Sequence, residues 1–242
     1  RMNKTIRNGI IASGLAIGVM IAVAVWVWMS LPADQQIPVH WNAAGEPDRW
    51  GTRSEAMISH YVVIGVSIFT AILLAFMPKI DPRKANLEKS SKVYGISWIA
   101  TMILLAGISI GTGWLKVSSA NPDTSLEASA IPFVRFVIAG TALLFLILGN
   151  YLPKTRPNWF LGIRTPWTLS SNQAWEKTHR LGGRLFMIVG VIGLVAAVLL
   201  NGLALALVVP ILAVSSALIS AIYSYFAWRN ADDKALDADY IV

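Results

Sequence analysis

The amino-acid sequence predicts an all-α membrane protein, a bundle of six transmembrane helices with both termini in the cytoplasm. Of its 242 residues, 55% are hydrophobic and 14% are charged, whereas an average soluble domain carries about 25% charged residues. The apolar residues are gathered into runs without charge, and roughly 20 consecutive apolar residues cross a bilayer as a helix. Lys and Arg lie mostly in alternate connections between these runs, which fixes the orientation of the helices.

Four apolar runs are each long enough for one crossing. They are Gly9–Leu31, Met57–Met77, Val93–Leu115 and Ile131–Leu152. The second contains His60 and the fourth contains Arg135, and no Asp, Glu or Lys interrupts any of them. Both residues lie near a helix end, where a polar side chain reaches the membrane interface.

A longer apolar run, Leu185–Trp228, accounts for the last two helices. As an α-helix it would be about 66 Å long, which is about two crossings of the hydrocarbon layer. Asn201 and Gly202 lie inside this run and supply the turn. We therefore divide the chain into three parts. They are residues 1–56, with the first helix and an outer cap, residues 57–152, with helices two to four, and residues 153–242, with an inner loop, helices five and six and the tail.

Lys and Arg residues decide which ends of the helices face the cytoplasm. Sixteen of the 20 lie in the N-terminal tail, the second and fourth connections and the C-terminal segment, and four lie in the remaining connections or near the start of helix four. Positively charged loops stay in the cytoplasm, so both termini and those two connections are expected there. This distribution and an anionic lipid surface account for the formal net charge of +7, and no direct nucleic-acid partner is needed.

The composition of the helices narrows the function classes. No ionisable residue is expected near the bilayer midplane, where ion-coupled transporters and intramembrane proteases carry theirs. Small residues recur four apart, as in Gly14 and Gly18 or Ser216 and Ser220, which favours close helix packing and leaves open a homo-oligomer contact. The sequence contains no Cys, which excludes disulfides and thiolate chemistry within it.

The connection after the first helix, residues 32–56, is predicted to form a small ordered cap. Alternating apolar residues indicate a short extended segment. They are Ile37, Val39 and Trp41. Gly45–Asp48 has the composition of a turn. Thr52 and Glu55 have the spacing of a capping box, so helix two is expected to begin there.

The His and acidic residues around this cap raise the question of a metal site. They are His40, Glu46 and Asp48, with His60 in the next helix. Their spacing differs from H-x-x-x-H and related ligand patterns. We therefore expect no metal and interpret them as hydrogen-bonded turn residues.

The connection between helices four and five is richer in aromatic and rigid residues than a simple link requires. Pro157 and Pro166 are expected to keep its first half out of helical structure. Its aromatic side chains suit the lipid headgroup boundary. They are Trp159, Phe160 and Trp167. The S-x-x-Q pattern of Ser170–Gln173 predicts the start of the next helix.

That next helix is predicted to have two different faces. Trp175, His179, Gly182 and Phe186 share one face, and Lys177, Arg180 and Arg184 share another. The basic face suits lipid phosphates or an acidic partner. For His179 the alternatives are a hydrogen-bonded residue at a helix junction, a partner contact and a pH sensor. For Arg164 they are capping of nearby carbonyls, a phosphate contact, and anchoring of the loop against the bundle or a partner.

Three stretches carry a resemblance to a known family. IPVHWNAAGEPDRWGTR, from Ile37 to Arg53, resembles a short N-terminal domain of unknown function found in bacterial membrane proteins. NWFLGIRTPWTLSSNQAWEKTHRLGG, from Asn158 to Gly183, resembles the signature of the SdpI family, to which that domain is often joined. DPRKAN after helix two extends the similarity over most of the chain. The residues that match the signature are Asn158, Gly162, Arg164, Thr165, Pro166, Trp167, Trp175 and His179.

The resemblance implies immunity to a secreted peptide toxin of the cannibalism type, in a family whose founding member also holds a cognate repressor at the membrane. The implied partners are the lipid bilayer, a secreted peptide toxin and a cytoplasmic repressor protein, and the implied location is the bacterial cytoplasmic membrane. We assign ligand or partner binding to the eight signature residues and to four cap residues. The latter are His40, Trp41, Asn42 and Gly45.

The leading hypothesis is therefore a binding protein that has no catalytic residues and no cofactor. One alternative is an enzyme at the membrane interface that uses His40 with Glu46 or Asp48, or His179 with Glu176. No nucleophile or metal set with recognisable spacing supports it. Another alternative is a transporter or exporter of the toxic compound, for which the sequence contains no G-x-x-x-x-G-K-[ST] nucleotide loop.

Overall fold

Six long helices make up most of the protein, with a two-stranded hairpin and two short helices in their connections. The computed structural model describes residues 1–42, 46–121, 123 and 125–234, and for residues 126–129 it describes the backbone alone. The helices and strands are α1 (Met2–Ser30), β1 (Ile37–Trp41), β2 (Pro47–Gly51), α2 (Arg53–Ile80), α3 (Lys84–Lys89), α4 (Ser91–Ser119), α5 (Leu126–Tyr151), α6 (Pro166–Leu169), α7 (Asn172–Leu199) and α8 (Gly202–Arg229).

The six helices α1, α2, α4, α5, α7 and α8 are each long and apolar enough to cross a membrane, which confirms the predicted all-α polytopic bundle. Many of their large apolar side chains are exposed on the outside of the bundle, among them Leu15, Phe69 and Leu199. Such a surface suits lipid rather than water. The helices run alternately up and down, so α1 begins and α8 ends on the same side. We call that side the loop end and the opposite side the hairpin end.

The turn between α7 and α8 lies where the sequence predicts it. Gly202 begins α8 with a φ of +55°, a conformation that favours glycine. The guanidinium of Arg135, on α5, donates to the carbonyls of Ala197 and Val198 and to the Asn201 side chain, each at 2.8 Å. Arg135 therefore satisfies carbonyls that the end of α7 leaves without helical donors.

The long helices pack as two units of three. The first unit contains α1, α2 and α4, and the second contains α5, α7 and α8, while helix packing between the units is concentrated between α4 and α5. At that contact the rings of Phe136 and Phe133 lie against Gly107 and Gly111 of α4, where a Cβ would approach them to about 3 Å. Small residues thus let α4 and α5 approach closely, as predicted, but the prediction is wrong for Gly14 and Gly18 of α1, where a Cβ would meet nothing within 4 Å. The division of the chain at residues 56 and 152 stays a prediction.

The hairpin lies directly on the first unit. β1 and β2 are antiparallel, with Ile37 opposite Gly51. Ile37 is fully buried in a cluster with Val27, Leu31 and Met57, so the hairpin covers the end of α1 and the start of α2. The extended segment predicted at residues 37–41 is confirmed. The predicted turn at Gly45–Asp48 is partly wrong, because β2 already begins at Pro47, and Gly45 lies outside the described residues.

The start of α2 has the predicted capping box. The backbone N–H of Thr52 donates to the Glu55 carboxylate at 2.6 Å, and the backbone N–H of Glu55 donates to the Thr52 hydroxyl at 3.3 Å. Only Thr52 separates β2 from α2. The hairpin and the helix are therefore joined without a flexible link.

Near the other end of α2, Pro78 interrupts the helical hydrogen bonds. Because proline has no N–H, the carbonyl of Leu74 loses its usual donor four residues later. The hydroxyl of Tyr94, on α4, donates to that carbonyl at 2.5 Å. A neighbouring helix thus supplies the missing donor, as backbone within a membrane requires.

Candidate functional site

The connection between α5 and α7 forms the most ordered polar structure of the loop end. We call residues 155–171 the Trp-rich loop. It follows a single turn of 3-10 helix, Leu152–Lys154, and contains the short helix α6. Eight of the residues predicted as functional lie in this loop or in the first two turns of α7.

Asn158 organises the beginning of the loop. Its side chain is fully buried. The amide nitrogen donates to the carbonyls of Arg156 and Leu161 at 2.7 and 3.1 Å, and the amide oxygen accepts from the N–H groups of Phe160 and Leu161 at 2.9 and 2.6 Å. Both donors and both acceptor positions of one side chain are therefore used by the loop backbone.

His179 holds the middle of the loop from α7. Its Nε2 accepts from the N–H of Ile163 at 2.9 Å, and its Nδ1 lies 2.8 Å from the carbonyl of Trp175. Because a carbonyl only accepts, Nδ1 carries the proton and the ring is neutral with Nε2 unprotonated. The His179 and Trp175 rings stack at 3.9 Å, and both side chains are fully buried. Of the alternatives for His179, this geometry fits the hydrogen-bonded residue at a helix junction.

Gly162 gives the loop backbone room to approach these two rings. Its φ is +117°, which favours glycine. A Cβ at this position would lie 2.3 Å from Nε2 of His179 and 3.1 Å from the Trp175 ring. The indole N–H of Trp175 donates to the carbonyl of Thr155 at 3.2 Å. The signature glycine, tryptophan and histidine therefore form one packed unit.

Helix α6 attaches the loop to α8. The Thr165 hydroxyl caps α6 and lies 2.9 Å from the Ser224 hydroxyl. The Trp167 ring packs edge-on against Tyr225 with 5.4 Å between centroids. The expectation that Pro166 keeps this part out of helical structure is wrong, because proline is favoured at the first position of a helix and α6 begins with it.

The start of α7 also differs by one residue from the prediction. The side chain that caps α7 belongs to Ser171, which accepts from the N–H of Ala174 at 3.0 Å, and Ser170 instead closes α6. Asp233, just after α8, accepts from the Ser171 hydroxyl and from the backbone N–H of Gln173. Partial burial alone would raise the pKa of Asp233, but these hydrogen bonds outweigh it and hold the pKa below its ordinary value.

The connection between α2 and α4 supplies the other wall of the site. We call residues 81–90 the Asp81 connection. The Asp81 carboxylate is fully buried and accepts from the N–H of Arg83 at 2.7 Å and from the N–H of Trp159 at 3.2 Å. The Arg83 guanidinium donates to the carbonyl of Leu169 at 2.8 Å.

Two more hydrogen bonds join the Asp81 connection to the loop. The Asn86 side chain donates to the carbonyl of Pro157 at 2.9 Å, and the N–H of Arg156 donates to the Ser90 hydroxyl at 2.9 Å. Residue-by-residue reasoning missed these residues as site residues. The DPRKAN stretch was the available signal, because it contains Asp81, Arg83 and Asn86 together.

The exposed part of the site is basic. The Arg164 side chain is exposed, and its guanidinium donates to the carbonyl of Trp159, which matches the carbonyl-capping alternative. The predicted basic stripe of α7 is exposed as well, at Lys177, Arg180 and Arg184. A polar groove of about 430 Å³ lies between the Asp81 connection and the start of α7. Its lining includes Lys89, Arg156 and Glu176, and the last two form an ion pair at 3.3 Å.

At the hairpin end, two of the predicted cap residues, His40 and Asn42, are bonded to acidic residues of the same cap. His40 Nδ1 lies 2.5 Å from the Asp48 carboxylate. The Asn42 side chain donates to the Glu46 carboxylate and accepts from the Glu46 N–H, both at 3.0 Å. Trp41 is half-buried between them and the bundle.

His60 lies apart from these cap residues, buried between α2 and α4. Among the residues described, no three His, Asp or Glu side chains are grouped as metal ligands. Beneath the hairpin, the buried ammonium of Lys116 donates to the carbonyl of Ala56 and to the Ser59 hydroxyl, which ties α4 to the start of α2.

Comparison with known proteins finds two sequence families, one matching the segment with the hairpin and the other matching the segment with the Trp-rich loop. Residues 154–224 match the SdpI/YfhL protein family, and residues 15–65 match a domain of unknown function, DUF1648. The curated protein Immunity protein SdpI of Bacillus subtilis (strain 168) is 27% identical over 91 residues, which is 38% of this chain and 44% of that relative. The match thus spans less than half of the relative's length. No solved structure matches the chain at a significant level.

Proposed function

Because this chain belongs to the SdpI/YfhL family of bacterial multi-pass membrane proteins, with a DUF1648 segment on its N-terminal side, we propose that it protects its cell against a secreted peptide toxin. In this proposal the toxin is recognised at the hairpin end and the loop end carries the response. A cytoplasmic partner, such as a repressor, is recruited at the Trp-rich loop.

The proposed orientation places the hairpin outside the cell and the loop in the cytoplasm. It is supported by the sixteen Lys and Arg residues that the chain carries in its loop-end connections and terminal segments, against four elsewhere. Positive residues flanking membrane helices stay in the cytoplasm. A secreted toxin would then meet the hairpin first.

The observation that carries the proposal is the placement of the two family-matching segments. One segment contains the hairpin and the other contains the Trp-rich loop, and the hairpin and the loop lie at opposite ends of one bundle. Under this proposal, one surface meets a ligand outside the cell and the other meets a partner inside it. A ligand changes the inner surface only if it binds one arrangement of the bundle better than another.

The predicted site residues divide into two roles under this proposal. At the cap, His40, Trp41 and Asn42 contact the toxin, together with Gly45. At the loop, the exposed or half-exposed residues contact the partner or lipid phosphates, and the buried ones hold the loop in shape. The first group is Arg164, Pro166 and Trp167, and the second is Asn158, Trp175 and His179. The half-buried Gly162 and Thr165 also hold the loop in shape, because Gly162 lies against the His179 ring and Thr165 caps α6.

The enzyme alternative gains no support from His179. Both of its ring nitrogens are engaged by backbone groups, which leaves neither one directed at a substrate. His40 is paired with Asp48 on an exposed hairpin rather than in a cleft. We therefore propose a binding protein. The experiment below distinguishes a binding protein from an exporter.

The test is protection of a sensitive bacterium that expresses this chain. Cells are exposed to the small-peptide fraction of medium from the source organism, and growth is measured with the protein level in the membrane quantified. We expect the wild type to protect, and Arg164→Ala and Trp167→Ala to lose most of the protection at equal protein level. Asp123→Ala, an exposed change in the connection between α4 and α5, is the matched control and should protect fully.

Three outcomes would contradict the proposal. If the wild type gives no protection against any peptide fraction, the immunity function is wrong. The exporter alternative is tested with labelled peptide. If expressing cells and control cells bind equal amounts at the surface but expressing cells accumulate less inside, the protein is an exporter. Full protection by both loop variants would reject the assigned role of the loop surface.

A further inference from the structure

We infer that α2 carries the effect of toxin binding from the hairpin to the Trp-rich loop, and that the Asp81 carboxylate is the joint between this helix and the loop. The inference rests on the proposed function, because it supplies the connection between the two surfaces. It assigns a positioning role to Asp81 that no family resemblance gives it.

The hairpin end of α2 is fixed to the hairpin. Thr52 alone separates β2 from α2, and its capping box with Glu55 closes that junction. Ile37 of β1 is fully buried among residues that include Met57, in the first turns of α2. A displacement of the hairpin therefore moves the start of α2 with it.

Between its two ends, α2 packs against α1 on one side and leaves most of its surface outside the protein core. It is the least buried of the six spanning helices. Its few buried residues are Ala56, Met57, His60, Ser67 and Pro78. Side chains of α4 donate hydrogen bonds to α2 near each of its ends. Lys116 donates to the Ala56 carbonyl, and Tyr94 donates to the Leu74 carbonyl. Because α2 buries the smallest share of its residues, we expect it to be the element of the first unit that shifts most readily.

The loop end of α2 is fixed to the Trp-rich loop. Asp81 follows the last residue of α2, and its N–H still donates to the Met77 carbonyl at 3.1 Å, so it moves with the helix. One of its carboxylate oxygens accepts from Arg83 in the same connection, and the other accepts from Trp159 in the loop. Both oxygens are buried, which makes the loss of either bond costly.

Trp159 is next to Asn158, whose side chain fixes the loop backbone by four hydrogen bonds. Helix shifts in known switching proteins are about 1–2 Å. The bond from Trp159 to Asp81 is 3.2 Å long, and a shift of that size takes it beyond hydrogen-bond distance. A small movement of α2 would thus release the part of the loop that Asn158 organises.

Hydrogen exchange of the full-length protein in lipid nanodiscs tests this inference without any toxin. The readout is the exchange rate of loop amides at residues 158–163, measured by mass spectrometry. Lys116→Met removes the tie to α2 at the hairpin end, about 40 Å from Asp81 along the helix axis. We expect Lys116→Met to speed loop exchange about tenfold, because α2 can then shift and the hydrogen bond from the Trp159 N–H to the Asp81 carboxylate opens.

The matched control is Gln35→Ala. Gln35 also ties the cap region to the end of α4, by a bond of 3.3 Å to the Ala120 carbonyl, and this bond does not involve a residue of α2. We expect its loop exchange to equal that of the wild type. Asp81→Ala should speed loop exchange by itself, and adding Lys116→Met to it should have no further effect, because the joint is already open.

Three results would overturn the inference. They are unchanged loop exchange in Lys116→Met, equal acceleration by Gln35→Ala, and full additivity of Lys116→Met with Asp81→Ala. If Lys116→Met does not fold, the milder Glu55→Gln replaces it, and if Asp81→Ala does not fold, Asp81→Asn replaces it. The expectations are the same, with smaller accelerations of loop exchange. Because no toxin is used, failure of the immunity assay and failure of this coupling are separate results.

Discussion

The Nε2 atom of His179 accepts the backbone N–H of Ile163 at 2.9 Å, so a helix side chain satisfies the buried backbone of a loop sixteen residues earlier. The His179 ring is neutral and fully buried, stacked on Trp175. This relationship makes the loop depend on a residue that a partner does not reach directly. Buried residues such as His179 therefore set the conformation of the loop, whereas exposed residues form the surface that a partner would contact.

His179→Ala should therefore destabilise the protein rather than only weaken partner binding. The N–H of Ile163 would lose its acceptor, which costs about 1–3 kcal/mol before the loss of packing is counted. The measurement is reversible unfolding in mild detergent. His40→Ala, at an exposed position, serves as the control and should stay within about 0.5 kcal/mol of the wild type. An equal effect of the two changes would reject the structural role of His179.

Gly162→Ala should disrupt the packing of the loop against Trp175 and His179. The φ of +117° disfavours any side chain, and the new Cβ would lie 2.3 Å from Nε2 of His179. We expect a loss of stability of about 2 kcal/mol or more, since two separate penalties add. Gly18→Ala is the matched control, because it meets no atom within 4 Å and should be neutral. Thermal denaturation in detergent compares the two, and a wild-type transition for Gly162→Ala would contradict the close contact.

The contact between Tyr94 and Leu74 predicts a specific rescue. Tyr94→Phe removes the donor that replaces the N–H missing at Pro78, so the carbonyl of Leu74 loses its partner. We expect a loss of about 0.5–1.5 kcal/mol. In a Pro78→Ala background the helix supplies its own donor again, and Tyr94→Phe should then cost less. A double-mutant cycle of unfolding free energies measures this difference. Equal costs in both backgrounds would show that the two residues act independently.

Asp233 predicts a pH dependence of the contact between the C-terminal segment and α7. Hydrogen bonds from Ser171 and the start of α7 outweigh partial burial and lower its pKa, so the charged carboxylate stabilises the folded state. That stabilisation is complete above the ordinary pKa of 3.8 and is lost as the pH falls through the lower value of the folded protein. The stability difference between wild type and Asp233→Asn, measured by unfolding, should therefore be constant from pH 7 to pH 5 and disappear under strong acid. A difference that grows on acidification would contradict this sign.

Much of the fold is encoded locally and could be predicted from the sequence. The six spans follow from uncharged runs long enough to cross the bilayer, and the start of α2 follows from the spacing of Thr52 and Glu55. The buried and basic faces of α7 follow from helical periodicity, which places Trp175 and His179 together and Arg180 on another side. These features depend only on residues close in sequence.

The remaining features depend on distant residues or on choices between equivalent neighbours. Ser170 and Ser171 are both good helix caps, and only the end of α6 at Ser170 decides between them. Asp81 meets Trp159 across 78 positions of the sequence, and no local pattern predicts that pairing. The grouping of the helices into two units likewise follows from packing rather than from the apolar runs.

The single-residue junction at Thr52 has a geometric consequence for α2. Each residue of a helix adds about 100° of rotation and about 1.5 Å of rise. One residue inserted between Arg53 and Ile80 would thus rotate the hairpin relative to the Asp81 connection by about 100°, which is over a quarter of a turn. Conservative replacements in the same stretch would leave their alignment intact. The number of residues in α2, more than their identity, therefore sets the angular relation between the hairpin at one end of the helix and the Trp-rich loop at the other.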